Sequence, residues 1–268
     1  MILWLISFGL ISGITTWLFG FGGGFVTVPL LYTLILTLWA GDSLAGEHAM
    51  QIAVATSALI MLFSAIITTL KHHKAKKIDW KLIMILFWGI AFGGIFGALL
   101  ASTVQGEWIR WIFIGYLFLT ILDCYFRPGF MAPRKEIQKV TNKKEALTGT
   151  IIIGIIAAFL GVGGSVMTVP LLRRRGMSMT QSAAMANTLT FPLALTATLT
   201  YILLSFTTPL GNSAGFVGYI WIKAAVILIC STWIGLKIAE RFLSRIPDKW
   251  HARVYPLLLI LVLVVMLN

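Results

Sequence analysis

A glycine-rich stretch occurs twice in this chain, and no other feature restricts its fold as tightly. From Phe19 the sequence reads FGFGGGFVTVPLL, and from Leu160 it reads LGVGGSVMTVPLL. Gly20, Gly22, Gly23, Thr27, Val28, Pro29, Leu30 and Leu31 return 141 positions later as Gly161, Gly163, Gly164, Thr168, Val169, Pro170, Leu171 and Leu172. Eight identities in twelve aligned positions, at the same point of two halves that are otherwise weakly similar, are not a chance match. Each copy sets a glycine cluster inside an apolar run, where glycine breaks helices. A short segment with a proline follows each break.

The runs around these breaks are membrane-like. Apolar residues make up 59% of the 268, charged residues only 11%, and several uninterrupted runs reach the roughly 20 residues that cross a bilayer. An all-α polytopic membrane protein is expected. The formal charge of +12 does not indicate nucleic acid, because Lys and Arg sit in short clusters between apolar runs, as cytoplasmic loops of membrane proteins carry them. Cys124 and Cys230 have no CxxC or Cys/His spacing, so neither a disulfide framework nor a metal site is expected. The first apolar run lacks the basic residues of a signal peptide and reads as retained structure.

Charge then orders the chain. The basic loops are 71–81, 127–146, 173–175 and 237–253, and together they hold 19 of the 21 Lys and Arg residues. All four lie on one side only if each glycine-centred segment enters and leaves by the same face and three spans follow it. That odd number of crossings inverts the second half relative to the first, with both termini outside. The expected organisation is a first membrane repeat over 1–126, a basic cytoplasmic linker over 127–146 and a second repeat over 147–268. The spans are expected near 49–70, 82–102, 108–126, 179–206, from after the uncharged loop 207–216 to near 238, and 254–267. A rival with eight simple crossings sends basic loops outside. The return arm after Gly164 is also too short to span at about 1.5 Å per residue.

Two broken helices meeting near the midplane form the kind of place where such transporters bind substrate. Free amides at helix N-termini attract anions, and glycine lets a ligand approach the backbone. The alternative is that the glycines only let helices pack closely. A second internal match aligns Ala55, Thr56 and Ser57 with Ala186, Asn187 and Thr188 on the next span of each half. Their small polar groups suit an anion's oxygens or an interhelical hydrogen bond. The candidate substrate-binding set is therefore Gly22, Gly23, Gly24, Thr27, Thr56, Ser57, Gly163, Gly164, Ser165, Thr168, Asn187 and Thr188. Lys223 and Arg110 read as snorkelling near the outer surface, and Asp123 lies at the opposite end of Arg110's span. Glu47 and His48 fall outside, and His72, His73 and His251 near the cytoplasmic face. No His, Asp and Glu set converges as an enzyme would need, and no cofactor is expected.

The paired GxGGG/GxGGS segments followed by TVPLL, with an ATS-type motif on the next span, resemble the TauE/SafE sulfite exporter family, the TSUP permeases, over essentially the whole chain. The resemblance implies a multi-pass permease of a bacterial-type inner membrane for a small sulfur-containing or organic anion such as sulfite, thiosulfate, sulfoacetate or another sulfonate. Related thiosulfate transporters place cysteines along the pathway, and neither glycine motif here has one. No Walker-type GxxxxGK[ST] sequence supplies an ATP motor, so secondary transport is expected, with protons as a candidate coupling ion. A passive anion channel and a non-transporting membrane subunit are the alternatives. The expected partners are the anion and the lipid bilayer, with no nucleic acid; sequence does not set the oligomeric state.

Overall fold

The structure is a computed structural model that describes residues 2–39, 43–131, 143–206, 215–242 and 246–267. The described chain is almost wholly helical: α1 (Ile2–Phe19), α2 (Gly24–Leu38), α3 (Leu44–Glu47), α4 (Ala49–Lys74), α5 (Trp80–Thr103), α6 (Gly106–Phe126), α7 (Lys143–Leu160), α8 (Ser165–Arg174), α9 (Met179–Leu203), α10 (Ile222–Phe242) and α11 (Asp248–Leu267). Seven of them, α1, α4, α5, α6, α9 with the short 3-10 turn after it, α10 and α11, are long and apolar enough to cross a membrane. The all-α polytopic reading holds.

Local signals set the helix starts. The Asp79 carboxylate accepts from the Lys81 and Leu82 amides at 3.0 and 3.2 Å and opens α5. Ser178 and Gln181 form a reciprocal capping box at the start of α9. Boundaries differ from expectation mostly where charged residues continue a helix past its apolar core. α4 runs on through Lys71–Lys74, and α11 begins at Asp248, six residues before the expected span. Long basic side chains extend to water from a helix end, so charge alone does not end one. Residues 207–214 of the expected outer loop, 132–142 of the linker and 243–245 lie outside the described residues. Just after the first of these gaps, two two-residue strands, β1 (Phe216–Val217) and β2 (Ile220–Trp221), pair antiparallel in a hairpin that sequence periodicity did not suggest.

Helix pairing follows the halves crosswise. α1 packs on α10 and α7 on α5, while α4 and α9 pack on each other and α6 on α11. Exchanging the halves maps each pair onto another or onto itself. The crosswise contacts are made by small residues. A Cβ on Gly13 would lie 2.2 Å from the Thr232 carbonyl oxygen, and one on Gly93 2.4 Å from that of Ile151. Only backbone-to-backbone approach permits such contacts. Gly9 meets Ser231 and Gly13 meets Gly235, so α1 and α10 run parallel; Gly89, Gly93 and Gly97 meet Thr150, Gly154 and Ala158, so α5 and α7 do too.

Directions follow from these contacts. α1 descends beside α10 toward the end of the bundle that carries Lys71 and Glu240. α2 returns, and Trp39 just past it packs edge-on against Trp221 at the start of α10, 4.9 Å between rings. The first glycine segment is thus a hairpin opening at one end. α7 climbs beside α5, and α8 comes back to pair Arg173 with Asp248 and Arg174 with Asp123, at the opposite end. α8 has ten residues, about 15 Å of helix. The outgoing arms match, α1 and α7 having 18 residues each, and only the return arms differ, since α2 has 15.

Candidate functional site

At both breaks the backbone enters the left-handed region. Gly20, Gly22 and Gly23 have φ of 77°, 67° and 93°, and Gly161 and Gly163 have 67° and 70°. Residues with side chains avoid these angles at a cost of about 1–2 kcal/mol each. Gly23 and Gly164 align in sequence yet differ: Gly164 has φ −65°, ordinary right-handed geometry, and begins α8. Their expected equivalence is corrected on this point. A Cβ on Gly164 would have 3.8 Å of clearance, so its glycine is not required by packing.

The breaks meet at the centre of the bundle, each clasped by the long helix of the other half. Around the first, a Cβ on Gly20 would strike the Ala183 carbonyl at 2.8 Å and one on Gly22 the Thr190 methyl at 2.8 Å, both on α9. Around the second, Gly161 abuts Val54 and Ser57 of α4, and Gly163 abuts the Met61 sulfur as well as Thr190. The breaks also touch each other, since a Cβ on Gly24 would lie 2.2 Å from the Gly161 oxygen. That contact explains why the first copy has glycine where the second has Ser165.

Serine hydroxyls hold the carbonyls freed by the breaks. Ser64 donates to the Gly22 oxygen, Ser12 to that of Gly23 at 2.9 Å, and Ser57 to that of Gly161 at 2.9 Å. Thr27 also reaches the Gly23 oxygen, at 2.7 Å. With the carbonyls occupied, the amides of the first turns of α2 and α8 have no intrahelical acceptor, as at any helix start. Two helix N-termini, each a partial positive charge, therefore approach within a fully buried region. Beside them are buried oxygens with no hydrogen-bond partner: Ser165 Oγ, Thr168 Oγ1, Thr16 Oγ1 and Asn187 Oδ1. Buried polar groups are normally satisfied, so this cluster is suited to receive a polar ligand.

The candidate residues fall into two groups. Gly22, Gly23, Gly24, Gly163, Gly164, Ser165, Thr168 and Thr27 form the two breaks and the helix turns that follow them, and Ser57 and Asn187 flank them. Asn187 donates its amide to the Thr16 oxygen at 3.0 Å, on the last turn of α1. Thr56 and Thr188 are engaged elsewhere. The Thr56 hydroxyl accepts from the Trp221 amide of β2 at 3.0 Å, and Thr188 donates to Ala184 one turn back in its own helix at 2.9 Å. The aligned ATS and ANT triplets therefore do not present equivalent side chains. Sequence reasoning missed Ser12, Met61, Ser64 and Thr190. Ser57, Met61 and Ser64 stand at i, i+4 and i+7, one stripe of α4, and Asn187 and Thr190 at i and i+3 of α9; that spacing was the available signal.

Among the charged residues noted above, Arg110 donates its Nε–H to the Met266 carbonyl at 3.0 Å and lies over Tyr32, capping the C-terminus of α11. Lys223 is exposed. Asp123 holds Arg174 and, at 3.6 Å, Arg127.

Comparison with known proteins gives this architecture a lineage. The family model described as Sulfite exporter TauE/SafE matches residues 5–267. The chain belongs to this family. Among relatives, it is 26% identical to a probable membrane transporter protein of Methanocaldococcus jannaschii over 88% of this chain and 86% of that one. It is 25% identical to a probable membrane transporter protein of Haemophilus influenzae over 95% and 93%, and 24% identical to the probable membrane transporter protein YunE of Bacillus subtilis over 96% and 94%. No solved structure matches the chain. The family is one of membrane transporters, and the seven membrane-length helices fit a multi-pass member of it.

Proposed function

We propose that this TauE/SafE member is a secondary transporter that binds a small sulfur-containing or organic anion between its two glycine breaks. One observation carries the reading: two helix N-termini from different halves converge in a buried centre whose carbonyls are already bonded to serines. Such a centre offers N–H groups and hydroxyls to a ligand, a combination that favours oxyanions without an opposing charge. Sulfite, thiosulfate, sulfoacetate and other sulfonates present the oxygens that such donors bind. The two hairpins would enter a bacterial-type inner membrane from opposite faces, with the basic loops in the cytoplasm, and protons are the candidate coupling ion.

The test is uptake of labelled sulfite, thiosulfate and sulfoacetate into proteoliposomes. Movement of at least one is expected, with accumulation against its gradient when a proton gradient is imposed. Flux that only equilibrates the anion would make the protein a channel. No flux of any of them would remove the proposal.

A further inference from the structure

A small polar cavity lies at the basic end of the bundle, beneath the last turn of α1. It is lined by Trp17, Leu18, His72, Lys77, Thr180 and His251 with Ile246, and its volume of about 20 Å³ is water-sized. His72 is 2% exposed, and neither of its ring nitrogens has a hydrogen-bond partner. Its face is occupied, because Trp17 stacks on it at 4.8 Å; only its edge remains for a ligand. Nε2 of His251 contacts the Leu18 carbonyl. A carbonyl only accepts, so that nitrogen carries the hydrogen.

The charges around this cavity have one net sign. Lys71 on α4 is paired with Glu240 of α10 and lies 5.6 Å from the Trp17 ring. Asp248 at the start of α11 is held by both terminal nitrogens of Arg173, at 3.2 and 2.7 Å. Both nearby carboxylates are thus already neutralised. Lys77 has no carboxylate partner among the described residues, and it lines the same cavity as His72. A buried imidazole with an unpartnered edge, an unpaired ammonium and a threonine around one small space suit an oxyanion and repel a metal cation.

We infer that this cavity is a second anion subsite, holding a small oxyanion at the basic end between solution and the central site. The inference builds on the reading of the chain as an anion transporter. Its position connects the two sites, since Trp17 and Leu18 belong to the turn that ends at Gly20. An anion here would accept from the His72 edge, the Lys77 ammonium and the Thr180 hydroxyl, with Lys77 and Thr180 shifting to widen a water-sized space.

The chain has four histidines, which makes direct observation practical. Protein carrying 15N-labelled histidine would be placed in nanodiscs of phosphatidylcholine alone and titrated with sulfite, thiosulfate and sulfoacetate, each signal being assigned from a His→Gln variant. The His72 and His251 ring signals should shift saturably while those of His48 and His73 stay still. Lys77→Gln, a change in a loop, should raise the half-saturating concentration about tenfold. Unmoved His72 signals would overturn the subsite, as would parallel drift of all four histidines with ionic strength. A shift that occurs only when phosphatidylglycerol is added would also overturn it, by making the cavity a lipid headgroup site. Saturable shifts in a protein that moves no anion would leave the subsite and remove the transporter reading. Flux with unmoved His72 would do the reverse.

Discussion

Gly163 and Gly164 are neighbours with opposite requirements. Gly163 sits at φ 70° with the Met61 sulfur 3.2 Å from where a Cβ would stand, whereas Gly164 has ordinary geometry and 3.8 Å of room. Gly163→Ala should therefore destabilise the protein by about 1–2 kcal/mol from backbone geometry alone, seen as a lower melting temperature in detergent. Gly164→Ala should melt as the wild type does, its methyl resting 3.8–4.0 Å from those of Ile153, Ile90 and Thr168, yet slow transport if the anion needs bare backbone at the start of α8; unchanged flux would take Gly164 out of the site. Ser64→Ala strips the donor from the buried Gly22 carbonyl and should cost about 1–3 kcal/mol, a loss that Ser64→Thr should partly restore if the hydroxyl is what matters. The glycine positions were legible in sequence because φ > 0 leaves few residue choices. The hydroxyl partners were not. Thr56 and Ser57 are adjacent, but α4 turns one toward β2 and the other toward Gly161, and that rotation depends on neighbours distant in the chain.

Elements inherit their stability from what anchors their ends, and α8 is the clearest case. With ten residues it cannot hold itself; the fully buried Arg173 ties it to Asp248 and, at 2.6 Å, to the Phe130 carbonyl, while Arg174 ties it to Asp123. Read from sequence, Arg173–Arg175 were a topological marker, and in the fold two of the three are clamps on α11 and α6. Asp248→Asn leaves the Arg173 guanidinium buried without its counter-charge. It should cost about 2–3 kcal/mol, less than a wholly buried pair would because Asp248 is 40% exposed. Chemical unfolding of the variant checks this, and wild-type stability would show that the Phe130 carbonyl suffices. The helices themselves were legible because apolar runs of that length have few alternatives. The β1–β2 hairpin was not, since two-residue strands carry no periodicity.

At the scale of the molecule, charge asymmetry and helix direction agree. Lys76 belongs to the basic end and Lys223 to the other, so single cysteines at these positions, in protein lacking Cys124 and Cys230, should react with a membrane-impermeant maleimide from opposite sides of oriented vesicles. Labelling from the same side would refute hairpins entering from opposite faces. Loop charge marked one end of the bundle early, whereas the crosswise packing of the halves depends on contacts between distant residues that no local pattern records. The crosswise glycine contacts have one more consequence. The first arm of each half lies against the second of the three spans of the other, so neither half possesses a finished surface of its own. The two halves complete each other, and cutting the chain within 132–142 should leave two fragments that are degraded when made singly and recover flux when made together.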